Sequence, residues 1–170
     1  MRPTRRQALA TMAALHLCSQ VPPAAAAPAA PGERVTWPEV KLLDGRRWTA
    51  ADTQGKAVVV VFWSTTCPFC QRHNEHVSKL LAASAGLPLE ILTVARERDA
   101  LAVQRYLDRH GHRFAVTLDH APMAAALSAR RMIPLTVTVD RSGRLKQVIP
   151  GEMFEEDMLE LAQLAKSHRS

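Results

Sequence analysis

A chain of 170 residues, 47% hydrophobic and 22% charged, has room for one domain with an ordinary core, and nothing in those totals fits a disordered protein. The formal net charge of +6 falls to +3 once Arg2, Arg5 and Arg6 are set aside, leaving 19 of 22 basic residues against 16 acidic ones. The rest are spread in pairs such as Arg46-Arg47 and Arg130-Arg131 among acids, which argues against a nucleic-acid partner and for a solvated basic surface.

Residues 1–26 read as an export signal. Three arginines precede the apolar run ALATMAAL (residues 8–15), and the tract PPAAAAPAA offers Ala-x-Ala cleavage sites near Ala26. The run is shorter than the roughly 20 residues that span a bilayer. TRRQAL resembles a twin-arginine signal, so that route and the general secretory route both stay open for a periplasmic destination. Leu17 stands before Cys18, where lipid attachment needs a small residue, so no lipidation is expected. Residues 27–34 (APAAPGER) are expected to form a flexible leader before a single domain at 35–170.

Within that domain, PEVKLLDGRRWTA places two short extended stretches around Asp44-Gly45, which suits a tight hairpin. AVVVVFW (57–63) has no polar alternation and reads as a central strand buried on both faces. A helix is expected over 68–84, with Pro68 in its first turn and Val77 and Leu81 on one face. A second strand ends at Ala95, and Asp99 can cap a helix over 100–110 that Gly111 ends. FAVTLD (114–119) reads as a third strand and 121–130 as a short helix. LTVTVDRSGRLKQVIPG reads as a hairpin turning at DRSG, with Leu135, Val137 and Val139 alternating with threonines. A last helix is expected at about 154–167, acidic at its start. This order predicts an α/β domain with a mixed central sheet and helices on both faces, with chemistry at the carboxyl ends of the parallel strands, where Cys67 falls.

Cys67 and Cys70 admit three meanings. A structural disulfide closing so short a loop restricts the unfolded chain very little. A c-type haem site needs a histidine after the second cysteine, where Gln71 stands. A metal site is harder to set aside, because Cys67, Cys70, His73 and His76 recur every third residue. Four such ligands on one helix cannot converge, yet Cys67, Cys70 and His73 could hold copper for delivery. Redox exchange gains from position: at a helix N-terminus, unpaired N–H groups favour the Cys67 thiolate, and Cys70, one turn further in, can attack the mixed disulfide. That exchange needs no cofactor.

At VVVVFWSTTCPFC and RRMIPLTVTVD the chain resembles the thioredoxin superfamily, and within it the exported TlpA-like thiol-disulfide oxidoreductases, over roughly residues 36–167. The resemblance implies a thioredoxin-like three-layer α/β fold with an N-terminal hairpin extension and an inserted helix at about 100–110. It also implies a cis bond at Ile133-Pro134, with the Ile133 backbone as a docking edge and Trp63 beside the disulfide. Three departures stand out: Val61 replaces the buried aspartate of thioredoxin, Thr66 replaces the tryptophan before the first cysteine, and His73 replaces a glutamate. His73 is then a proton shuttle for Cys70 or a solvated surface residue; His76, His110, His112, His120 and His168 are expected at the surface.

The function implied is a periplasmic protein-disulfide reductase, acting as a monomer. It would be charged by a membrane electron donor and would act on exported disulfides such as those of apocytochromes c. A metal chaperone using Cys67, Cys70 and His73 is the alternative class. A peroxidase fits less well, because Ser64 suits that motif's hydroxyl position but Val60 stands where its proline belongs.

Overall fold

A computed structural model describes residues 27–128 and 130–166; the expected signal peptide and His168 lie outside them. Seven strands and four α-helices follow in chain order. They are β1 (Val40–Lys41), β2 (Arg47–Trp48), β3 (Ala57–Trp63), α1 (Pro68–Ala83), β4 (Leu89–Ala95), α2 (Ala100–His110), β5 (Ala115–Thr117), α3 (His120–Leu127), β6 (Leu135–Val139), β7 (Leu145–Pro150) and α4 (Glu155–Glu160). The central sheet has the order β5-β4-β3-β6-β7, with β3, β4 and β5 parallel and β6 and β7 antiparallel.

All seven residues of β3 are buried, as an apolar run without alternation requires of a middle strand covered on both faces. Val59, Val61 and Trp63 face a core shared with α1, α2 and α4. Val58, Val60 and Phe62 face a second core, built on α3 and the β1-β2 hairpin. These are the three layers expected. The hairpin turns at Gly45, whose φ of +88° needs a residue without a Cβ, and it closes the β5 edge through a Leu42–Thr117 bridge.

Three elements differ from expectation. β6 alternates threonine with aliphatic residues, yet all five positions are buried, because the strand is internal and helices cover both faces. β5 keeps only three residues: Phe114 belongs to the α2-side core, and Asp119 already serves as the N-cap of α3. The last helix is α-helical only to Glu160 and continues as a 3-10 helix over Leu161–Ala165. The segment expected as a flexible leader runs against the domain, where Ala29 N–H donates to the Ala126 carbonyl and Gly32 N–H to that of Leu145. Among the described residues no helix is long and apolar enough to cross a membrane.

Candidate functional site

β3 ends at Trp63, and four residues later Cys67 is the N-cap of α1, with extended backbone (φ −93°, ψ 113°) and Pro68 opening the helix. Cys67 and Cys70 form a disulfide with Cα atoms 5.2 Å apart. The Cys70 N–H donates to Cys67 Sγ at 3.2 Å, so the sulfur occupies the place of a helix-capping oxygen and meets the positive end of the helix. No acidic residue stands in the first turn to oppose that field. Cys67 is half-buried and Cys70 fully buried. One sulfur can therefore receive a partner while the other waits behind it.

Trp63 and Cys70 belong to the same buried cluster. Trp63 is fully buried, its ring 4.9 Å from that of Tyr106 on α2. On the strand beside β3, β6 starts with Leu135 paired to Phe62, which brings Pro134 level with Trp63 at the end of β3. The Ile133-Pro134 bond is cis, as the resemblance implied, and Pro134 is buried.

His73 is not a solvated surface residue: none of it is exposed. Its position one turn after Cys70 aims it at β6 and at the loop before α4, where Nε2 lies 3.0 Å from Thr136 Oγ1 and Nδ1 accepts from Met153 N–H at 3.2 Å. An Nδ1 that accepts leaves the proton on Nε2, so the ring is neutral and donates to Thr136. Burial, followed by the charge of His76, brings its pKa down to about 4, against a pull from Glu152. His76, half-buried, donates from Nδ1 to the Met153 carbonyl at 3.0 Å. The two histidines thus hold both backbone groups of Met153. Arg72 adds a two-pronged pair with Glu152 at 2.8 and 2.6 Å, which holds the Glu152 carboxyl below its usual range.

His112 is a further correction: it is buried, with Nδ1 2.8 Å from Ser78 Oγ and its ring stacked on Phe114. Burial pushes its pKa down. His110 and His120 are half-buried. Val61, where thioredoxin has its buried aspartate, is fully buried between Thr93 and Thr136, so the polar group at that level is a threonine tied to His73.

Sequence reasoning overlooked Glu97. Its Oε1 accepts from Ser64 Oγ at 2.7 Å, Thr65 N–H at 2.5 Å and Thr65 Oγ1 at 2.9 Å, all in the turn before Cys67. In the sequence it sits in RERD, where it reads as one solvated charge among four. The Ser64 hydroxyl, which had suited a peroxidase motif, is committed to this carboxylate.

The arrangement can pass two electrons between its own dithiol and another disulfide. A sequence profile of the family Redoxin matches residues 30–165. The thiol-disulfide oxidoreductase ResA of Halalkalibacterium halodurans is 31% identical over 124 residues, 73% of this chain and 70% of that one. Among solved structures, a thiol:disulfide interchange protein of the thioredoxin family from Chlorobium tepidum superposes with a TM-score of 0.71 at 22% identity, covering 83% of this chain and all (100%) of that one. A secreted Mycobacterium tuberculosis disulfide oxidoreductase, homologous to Escherichia coli DsbE, gives a TM-score of 0.64 at 21% identity over 73% and 92% of the two chains. These structural likenesses show the fold alone.

Proposed function

Because this chain belongs to the Redoxin family, among thiol-disulfide oxidoreductases of the ResA type, we propose that it is exported by its first 26 residues to the periplasm and there reduces disulfides of other exported proteins, working as a monomer. The observation that carries this reading is the asymmetry of the pair: a half-buried Cys67 capping α1 and a fully buried Cys70 one turn behind.

In the reduced protein, Cys67 thiolate attacks one sulfur of a substrate disulfide. A Cys67–substrate bond forms, the substrate S–S bond breaks, and the departing sulfur takes up a proton. Cys70 then loses its proton and attacks Cys67 Sγ, forming the Cys67–Cys70 bond and expelling the substrate's second sulfur, which is protonated in turn. Two electrons and two protons have reached the substrate. A membrane dithiol donor returns the pair to its reduced state. Apocytochromes c, with cysteines that must be reduced before haem attachment, are the substrate class the family likeness supports, docked along the Ile133 backbone beside Pro134 and Trp63.

His73 supports the pair as a fixed neutral clamp. Its one lone pair already receives the Met153 N–H, so taking the Cys70 proton would cost that bond. The same two hydrogen bonds weigh against copper delivery through Cys67, Cys70 and His73, since a metal would have to displace Met153 or Thr136 from the ring.

A Cys70→Ala variant expressed in the periplasm tests the reading. It is expected to accumulate a mixed disulfide through Cys67, while the parent protein in glutathione buffers settles near the reducing end of the roughly −270 to −120 mV range of this superfamily. A potential near the upper end would make it an oxidant.

A further inference from the structure

The turn before Cys67 is held by a carboxylate 33 positions from Ser64 and 32 from Thr65 in sequence. Glu97 lies two residues beyond the end of β4, where Arg96 N–H donates to the Trp63 carbonyl and so aligns the loop after β4 with the loop after β3. From there Glu97 Oε1 collects three donors from Ser64 and Thr65. The Ser64 hydroxyl also lies 3.1 Å from Thr66 Oγ1 and accepts from Thr66 N–H, while the Ser64 carbonyl accepts from Cys67 N–H. Ser64 therefore links Glu97 to the backbone of Cys67, its hydroxyl donating to the carboxylate and its carbonyl accepting from Cys67 N–H. The second carboxylate oxygen, Oε2, is buried without a partner. A buried carboxylate oxygen left unpaired costs free energy, which the surrounding fold must supply.

We propose that Glu97 is the positioning residue of the Cys67 turn and that its carboxylate sets the dithiol toward reduction of its partners. One oxygen fixes the turn, and the negative charge opposes the thiolate that the helix N-terminus would otherwise favour. A thiolate made less stable leaves the reduced pair less stable, which is the condition of a reductant. This deepens the reductant reading given above and rests on it.

The other charged groups around the pair do not duplicate this effect. On α1, Arg72 is matched by Glu152 from the loop before α4, and His73 is a neutral ring. Arg96 turns to the Arg131 carbonyl ahead of β6. On α2, the Tyr106 hydroxyl is pushed above its usual range by burial, against the hydrogen bond from Asn74 that lowers it, with the charges of Glu75 and Glu97 adding smaller upward pushes.

The test is the pH profile of iodoacetamide alkylation at Cys67, with the glutathione equilibrium, in the reduced full chain and three variants. Glu97→Gln keeps an acceptor oxygen and removes the charge: the midpoint for Cys67 is expected to fall by about one unit, with the equilibrium shifting up to tenfold, about 30 mV, toward the oxidising side. Glu97→Ala removes both and is expected to slow disulfide exchange on the order of tenfold at matched thiolate content, as the turn loosens. Should Glu97→Ala fold poorly, the double variant Ser64→Ala/Thr65→Val removes two donors but keeps the carboxylate, and is expected to slow exchange without lowering the midpoint. Unchanged midpoints and exchange rates in folded Glu97→Gln and in the double variant would overturn the proposal while leaving the exchange chemistry intact. A parent whose Cys67 resists alkylation at every pH would overturn both.

Discussion

The two sides of the cysteine pair are held by opposite chemistry. Ahead of Cys67, a carboxylate from the loop after β4 gathers the donors of Ser64 and Thr65. Behind Cys70, two imidazoles grip the backbone of Met153 and one of them is tied to Thr136. The charged support holds the turn that leads into the half-buried sulfur and, as proposed above, tunes how readily that sulfur ionises. The imidazole support, with His73 as its neutral, fully buried member, lies behind the buried sulfur, where an uncompensated charge would cost most, and serves to lock α1 onto β6 and the α4 loop. The difference teaches that the charge proposed to act on reactivity stands on one side of the pair, while the clamp that fixes α1 stands on the other.

That separation can be broken experimentally. The largest effect is expected from Cys67→Ser, which should abolish insulin disulfide reduction altogether, whereas Cys70→Ala should still form the mixed disulfide but fail to release it. Next, His73→Ala leaves Met153 N–H and Thr136 Oγ1 without their buried partner, and urea denaturation should show a loss of roughly 2–6 kcal/mol, allowing about 1–3 kcal/mol for each unsatisfied group. The alkylation midpoint of Cys67 should stay where it was. Glu97→Gln should show the converse, a moved midpoint with a smaller change in stability; if each variant moved both quantities alike, the two supports would not be separate.

Acid should act on the imidazole side. The His73 pKa is lowered in the folded protein from 6.5 to about 4, so between those values the unfolded chain binds the extra proton. Stability is then complete above the unfolded pKa and is lost as pH falls from about 6.5 toward 4, by at most roughly 3 kcal/mol from this group. His112, also lowered by burial, adds in the same direction. Urea midpoints measured at pH 7 and pH 5 should differ in the parent and differ less in His73→Asn. The smallest effect belongs to the surface: Arg72→Ala removes the pair to Glu152, more than half exposed on the arginine side at 57%, and should change stability by about 1 kcal/mol or less, less still in high salt.

What could be read in the sequence was what local pattern controls. β3 as a doubly buried strand, Asp99 as a helix cap accepting from Leu101 N–H, and Gly111 as the left-handed end of α2 each depend on a few adjacent residues. So did Cys67 at the head of α1. Hidden were the contacts that join distant segments. Nothing in RERD separates Glu97 from its neighbours until β4 is laid beside β3, which carries it to the Cys67 turn. His73 looked like a surface residue because an imidazole carries no apolar signal of its own, although Cys70 and Val77 stand three and four positions away on the buried face; its burial follows from β6 being internal and from Met153 returning to α1. His112, just after a glycine stop, read as loop, yet the turn folds it under Ser78.

Disulfide exchange at this site requires Cys67 to be the sulfur that meets a partner and Cys70 the one that waits. Reduced protein given a limiting amount of iodoacetamide, digested and mapped by mass spectrometry, tests this most directly. Label should be found on Cys67 well before Cys70, and label arriving on Cys70 first, or on both at the same rate, would contradict it.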